Sequence, residues 1–179
     1  VAHVRRLAPD ASLRVDANGA FSRDAVPRIL GALADLGVMY VEEPVPLHTL
    51  DAVPDWPVPL ALDESLPRLS PRSRRMFFES GRVGAVVLKP ALLGGIDRAL
   101  ALAHIAAGYE IGASASHLFD GPIGLAAACA LALASPRPLA AGCAPHVGLV
   151  AFAPRSIAAL GDAAVHGHRE VGLGLEASR

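Results

Sequence analysis

The chain has 179 residues, 53% of them hydrophobic and 4% aromatic, with 16 basic against 17 acidic side chains. That is enough for one sizeable core, and without a basic run beyond Arg72, Arg74 and Arg75 there is no case for nucleic acid as a partner. Two cysteines make no disulfide framework, no stretch reads as a signal peptide and the apolar run 123–134 is too short to span a bilayer; a soluble, cytoplasmic protein with no membrane partner is expected.

Residues 1–8 read as the end of a helix, closed by Pro9 and Asp10. Strand 12–16 ends on Asp16, followed by Ala17, Asn18 and Gly19. Ser22, Arg23 and Asp24 open a helix that runs through Leu36 and stops at Gly37, with Pro27 in the first turn where proline is tolerated. Strand 38–42 ends on Glu42; Pro44 and Pro46 close it, and a short helix covers 49–53. Strand 60–63 ends on Asp63 and leads to a helix near 71–79. Strand 85–88 runs into Lys89, the sole lysine of the chain, then Gly94, Gly95 and a helix over 96–107. Strand 109–113 precedes the polar loop Ser114 to His117. Asp120, Gly121 and Pro122 open an alanine-rich helix ending near 134, in which Cys129 is expected to be core, and 139–143 is the last strand. The strands are near-continuous apolar runs, as expected where both faces of a parallel sheet are covered.

This is the alternation of a parallel α/β protein, a (β/α)8 TIM-barrel type with about six of its eight strand–helix units. The barrel part spans 1–150 and a C-terminal segment 151–179. The six strands are expected to be parallel, in sequence order, with right-handed crossovers. Two strands would precede Val1, so the chain reads as a fragment or as one part of an assembly; a homo-oligomer is one way to cover its open edges.

Three of the runs end in a carboxylate, Asp16, Glu42 and Asp63, and the next ends in Lys89. In a parallel barrel the C-terminal ends of the strands form the edge where active sites are built. Converging carboxylates repel unless a cation sits between them. An all-oxygen set favours Mg²⁺, with Mn²⁺ also suited. A lysine at the same edge can act as base, acid or electrostatic partner to a developing anion. The alternative is that each acid caps the helix after its strand. Gly94 and Gly95 either present amides to a substrate carboxylate or only permit a tight turn. Ser114, Ser116 and His117 either face the substrate or cap the next helix, and Asp120 is either a substrate contact or an N-cap. The remaining histidines, His166 and His168 included, lack ligand spacing. The stretch from Asp16 to Gly19 is not a calcium loop, because the later bidentate glutamate is missing.

Asp16 in "RVDANGAF", Glu42 in "VEEPV", Asp63 in "LALDES" and Lys89 in "VVLKPALLGG" together resemble the metal and lysine motifs of the enolase superfamily, in particular its muconate-lactonizing-enzyme subgroup. The likeness runs over about residues 1–150. It implies that Asp16, Glu42 and Asp63 bind the metal at the ends of barrel strands three to five. The first acid of the glutamate doublet is then the ligand, not Glu43. Lys89 becomes catalytic at the end of strand six, and Asn18, Gly94, Gly95, Ser114, Ser116, His117 and Asp120 are substrate-side positions. An N-terminal capping domain and a strand-two Lys-x-Lys motif, both upstream in that family, are not in this chain. The resemblance further implies a metal-dependent lyase that takes the proton α to a carboxylate of a small molecule and eliminates water. The segment "GPIGLAAACALALA" and the ending "PLAAGCAPHVGL" favour the dehydrating group. The dipeptide epimerases have Asp-x-Asp at the eighth strand, where this chain has Ala141, Gly142, Cys143 and Ala144. A cycloisomerase or N-acylamino acid racemase of the subgroup, with Lys89 as a base, is the second expectation. A barrel fragment without catalysis of its own is the third.

Overall fold

The structure is a computed structural model that describes residues 1–52 and 56–144. The segment 151–179, with His166 and His168, lies outside the described residues. The end of the short helix expected over 49–53 also lies outside them. Five strands, β1 (Leu13–Asp16), β2 (Val38–Glu42), β3 (Leu60–Leu62), β4 (Val83–Leu88) and β5 (Gly112–Ala115), form one sheet in sequence order. The pairs from β1 through β4 are parallel. Helices α1 (Ala2–Leu7), α2 (Val26–Asp35), α3 (Pro71–Glu79), α4 (Pro90–Leu93), α5 (Ile96–Ala107) and α6 (Gly121–Ala134) fill the connections, with 3₁₀ turns at Leu47–Ala52 and Leu66–Arg68. Parallel strands in sequence order joined by helices are the arrangement of an incomplete (β/α)8 barrel. The chain divides into two compact units, Val1–Val86 and Val87–Arg179.

In the first unit, Val26, Leu30 and Leu33 bury one stripe of α2 at the spacing of a helix face. The expected start at Ser22 is delayed. The Ser22 carbonyl accepts from the amides of Ala25 and Val26, so a turn precedes the helix and no side chain caps it. Ser70 caps α3 as a side chain should, its Oγ accepting from the Ser73 amide at 3.0 Å. Residues of β3 are buried throughout, while β1 alternates between half-buried and exposed. The expectation of strands covered on both faces is met at β3 and not at β1.

In the second unit, α5 buries Ala99, Leu102, Ala103 and Ala106. The strand after it begins at Gly112, three residues later than the sequence suggests. Glu110 adopts φ +63°, and the Ile111 amide donates back to the Ala106 carbonyl, so the helix stop consumes residues 108–111. The expected last strand, 139–143, is reduced to two parallel bridges, Ala113 to Pro138 and Ser116 to Gly142. The Leu139 and Gly142 amides still donate to the Ala113 and Ala115 carbonyls, so the segment runs alongside β5 without a continuous ladder. Cys129 and Cys143 are both buried, in one cluster with Leu125 and Ala128.

Candidate active site at the strand ends

Strand register decides which of the acids are neighbours. Asp16 is the direct partner of Glu42 across β1 and β2, and parallel strands lie about 4.8 Å apart. Glu42 in turn pairs with Ala61, and Asp63 stands two residues beyond it, on the same side of β3 by the two-residue alternation of a strand. Asp63 is 2% exposed, Glu42 is half-buried and Asp16 is exposed. The donor chemistry and the register thus suit a hard divalent ion. The side chains as they stand do not yet form its cage: among the described residues no group of three His, Cys, Asp or Glu side chains is placed to hold a metal. Asp16 turns away to Asn18, its Oδ1 accepting from the Asn18 amide and its Oδ2 from Asn18 Nδ2, both at 2.9 Å.

Glu43, the second acid of the doublet and not the expected ligand, is buried and held by three hydrogen bonds to one oxygen. It is 5% exposed. Its Oε1 accepts from the Asp63 amide at 2.7 Å, the Ser65 amide at 3.0 Å and Ser65 Oγ at 2.6 Å. Its own amide donates to Ala61 and its carbonyl accepts from Gly19. The only hint in the sequence is a second acid wedged between Glu42 and Pro44. Beside it lies a cavity of about 440 Å³ whose walls include Asn18, Gly19, Glu43, His48, Ser65 and Arg68. That volume is in the range of small-molecule sites.

In the second unit Lys89 follows β4 directly, half-buried, as the N-cap of α4. Gly94 (φ +84°) and Gly95 (φ +125°) take left-handed backbone at the junction of α4 and α5, and both amides donate to the Pro90 carbonyl. Those two donors are therefore spent within the chain. Ser114 Oγ donates to Ala140 O at 3.0 Å, and Ser116 Oγ to Gly142 O at 3.4 Å. His117 Nδ1 accepts from the Phe119 amide, which leaves Nε2 as the donor to Ala144 O at 3.2 Å. Asp120 does not cap α6 through its side chain; Oδ2 accepts from the Leu118 amide behind it. Ser114, expected in the loop, lies on β5 itself, and the loop after β5 is tied by Ser116 and His117 to the segment 142–144. Its exposed members are Leu118, Phe119 and Asp120.

The family model described as enolase C-terminal domain-like matches residues 1–178. An o-succinylbenzoate synthase of Thermobifida fusca is 36% identical over 143 residues, covering 77% of this chain and 43% of that protein. Another, of Desulfotalea psychrophila, is 33% identical over 119 residues, 64% of this chain and 32% of that protein. The chain thus spans less than half the length of these relatives. Among solved structures, a muconate lactonizing enzyme from Pseudomonas putida superposes with a TM-score of 0.68 at 27% identity, over 80% of this chain and 41% of that one.

Proposed function

Proceeding from a chain that belongs to the enolase C-terminal domain-like family, we propose that it is the barrel portion of a Mg²⁺-dependent lyase, an o-succinylbenzoate synthase of menaquinone biosynthesis, acting in the cytoplasm. The observation that supports this reading is the run of acids at three successive strand ends, with Asp16 and Glu42 in register, Asp63 two residues past the register partner of Glu42, and Lys89 following the fourth strand. The likeness to two synthases points the same way. The substrate is a small carboxylate that loses an α-proton and then a hydroxide, together one water. A Mg²⁺ or Mn²⁺ held by the three acids would supply positive charge against the anion that builds up as the proton leaves. Lys89 acts as the cationic partner of that anion. Lys89 directly follows β4 and precedes α4, which puts it at the same strand-end edge in the chain's order of elements.

A second reading is a cycloisomerase, which the likeness to the muconate lactonizing enzyme favours; Lys89 would then move the proton itself. The test of both is steady-state turnover in the intact protein, with the o-succinylbenzoate precursor and with muconate as substrates. Lys89→Ala should lower kcat at least about a hundredfold, the scale lost with one acid–base or electrostatic group. Lys89→Arg should recover little of it, since a planar guanidinium does not occupy an ammonium's place. Near-normal dehydration by Lys89→Ala removes this residue from the mechanism. Turnover of muconate alone selects the second reading.

A further inference from the structure

We infer that Glu43 is a positioning residue that sets the geometry of the three-acid site, an inference that rests on reading Asp16, Glu42 and Asp63 as metal ligands. The acids lie at or just past the ends of three different strands, and backbone bonds carry the pairing on beyond Asp16, from the Ala17 amide to Glu42 O and from the Phe21 amide to Pro44 O. Glu43 touches all three segments. It adjoins Glu42 in the chain, its carbonyl accepts from Gly19 in the loop after Asp16, and its Oε1 accepts from the amide of Asp63 itself. Two more donors from Ser65 converge on the same oxygen.

Three features argue that this is more than loop packing. First, a carboxylate that is 5% exposed is costly unless its acceptors are filled, and here the filling groups belong to the segment that presents Asp63. Second, Glu43 adopts φ +40°. That conformation is unfavourable for a residue with a Cβ and persists where the surroundings over-determine it. Third, the bonds end on backbone amides of Asp63 and Ser65, so they hold the course of the main chain rather than a rotamer. A shift of the Glu43 oxygen moves the Cα of Asp63 with it. Groups that orient ligands in this way commonly govern metal affinity.

Only Oε1 is used in these three bonds, so an acceptor oxygen is what the site requires. Glu43→Gln retains one; Glu43→Leu, of similar size, does not. The experiment is Mg²⁺ titration calorimetry on the intact protein, at a temperature where each variant is folded, with the amide proton shifts of Asp63 and Ser65 followed by NMR. Glu43→Gln should bind Mg²⁺ within about threefold of wild type, whereas Glu43→Leu should lose about ten- to a hundredfold, the usual scale for an outer-shell ligand partner. The Asp63 and Ser65 amide signals should move upfield in the leucine variant and stay near their wild-type positions in the glutamine variant. Ser65→Ala, which removes one of three donors and no acid, should show a smaller loss in the same direction; it decides the matter if Glu43→Leu does not fold. Wild-type affinity in folded Glu43→Leu, or in Ser65→Ala where the leucine variant does not fold, overturns the inference and leaves the metal reading intact. A wild-type protein that binds no Mg²⁺ overturns the metal reading, and the inference with it.

Discussion

Replacing Asp63 with asparagine separates the charge of the acid from its place in the fold. The side chains are nearly isosteric. The contact that anchors residue 63 runs from its backbone amide to Glu43, which the substitution leaves in place. What changes is one negative charge at a 2% exposed position beside the register pair of Asp16 and Glu42. With the charge centres about 4 Å apart and a water-like dielectric, a carboxylate and a divalent ion attract by about 2 kcal/mol, while burial raises both this attraction and the cost of stripping water from the two charges. The water-like figure corresponds to about a thirtyfold loss of affinity at 1.36 kcal/mol per tenfold. Titration calorimetry of Mg²⁺ against wild type and Asp63→Asn measures it, and thermal melting by circular dichroism without metal checks that the fold has not moved. Unchanged Mg²⁺ affinity in a folded Asp63→Asn protein would refute the ligand assignment and the register argument behind it.

Arg5 gathers four carbonyls, those of Pro9 and Ala11 after α1 and of Leu36 and Gly37 after α2. Arg5→Ala should therefore cost about 1–3 kcal/mol, since several bonds from a charged donor are lost at a partly exposed site; a urea midpoint equal to wild type would contradict this. A hydrogen bond with Cys143 lowers the Cys129 thiol, against the opposing effect of burial, while the same bond and then burial push the Cys143 thiol well above the ordinary range. As pH is raised, Cys129 gains thiolate first, so iodoacetamide with peptide mapping should find Cys129 alkylated before Cys143, both slowly. Asn18→Gly removes one of the two bonds on Asp16 and suits φ +47° at that position. If that bond competes with the ion, Mg²⁺ should bind about two- to twelvefold tighter, equivalent to about 0.5–1.5 kcal/mol; weaker binding would show that Asn18 orients Asp16 instead.

The architecture was legible because the apolar runs and the residues that stop them alternate at one strand-plus-helix spacing, and β2, α3 and α5 fall where those signals put them. Boundaries moved where backbone geometry outweighed residue type. The start of β5 is the clearest case: Gly108 caps α5 where the sequence puts it, but a left-handed Glu110 adds a turn before the strand, and no propensity singles out a glutamate for that conformation. The expected last strand is present only as two bridges to the β5 segment. At the site, the acids were legible as strand-end residues. Their bonding was not, because it depends on which oxygen meets which amide across loops. Glu43 looks like a redundant neighbour of Glu42 in the sequence, and only the contact of its Oε1 with a segment twenty residues later gives it a role.

The three acids are not equally prepared for a cation. Residue 63 is held through its main chain by a buried acceptor, and the strand register holds Glu42 opposite Asp16. Asp16 is exposed, and both of its oxygens are engaged by Asn18. If the three acids take up an ion, those two bonds are the ones that Asp16 must give up, and they are solvent-exposed bonds that water replaces at little cost. The loop after Asp16 is joined to the buried Glu43 segment through the bond from the Gly19 amide to the Glu43 carbonyl.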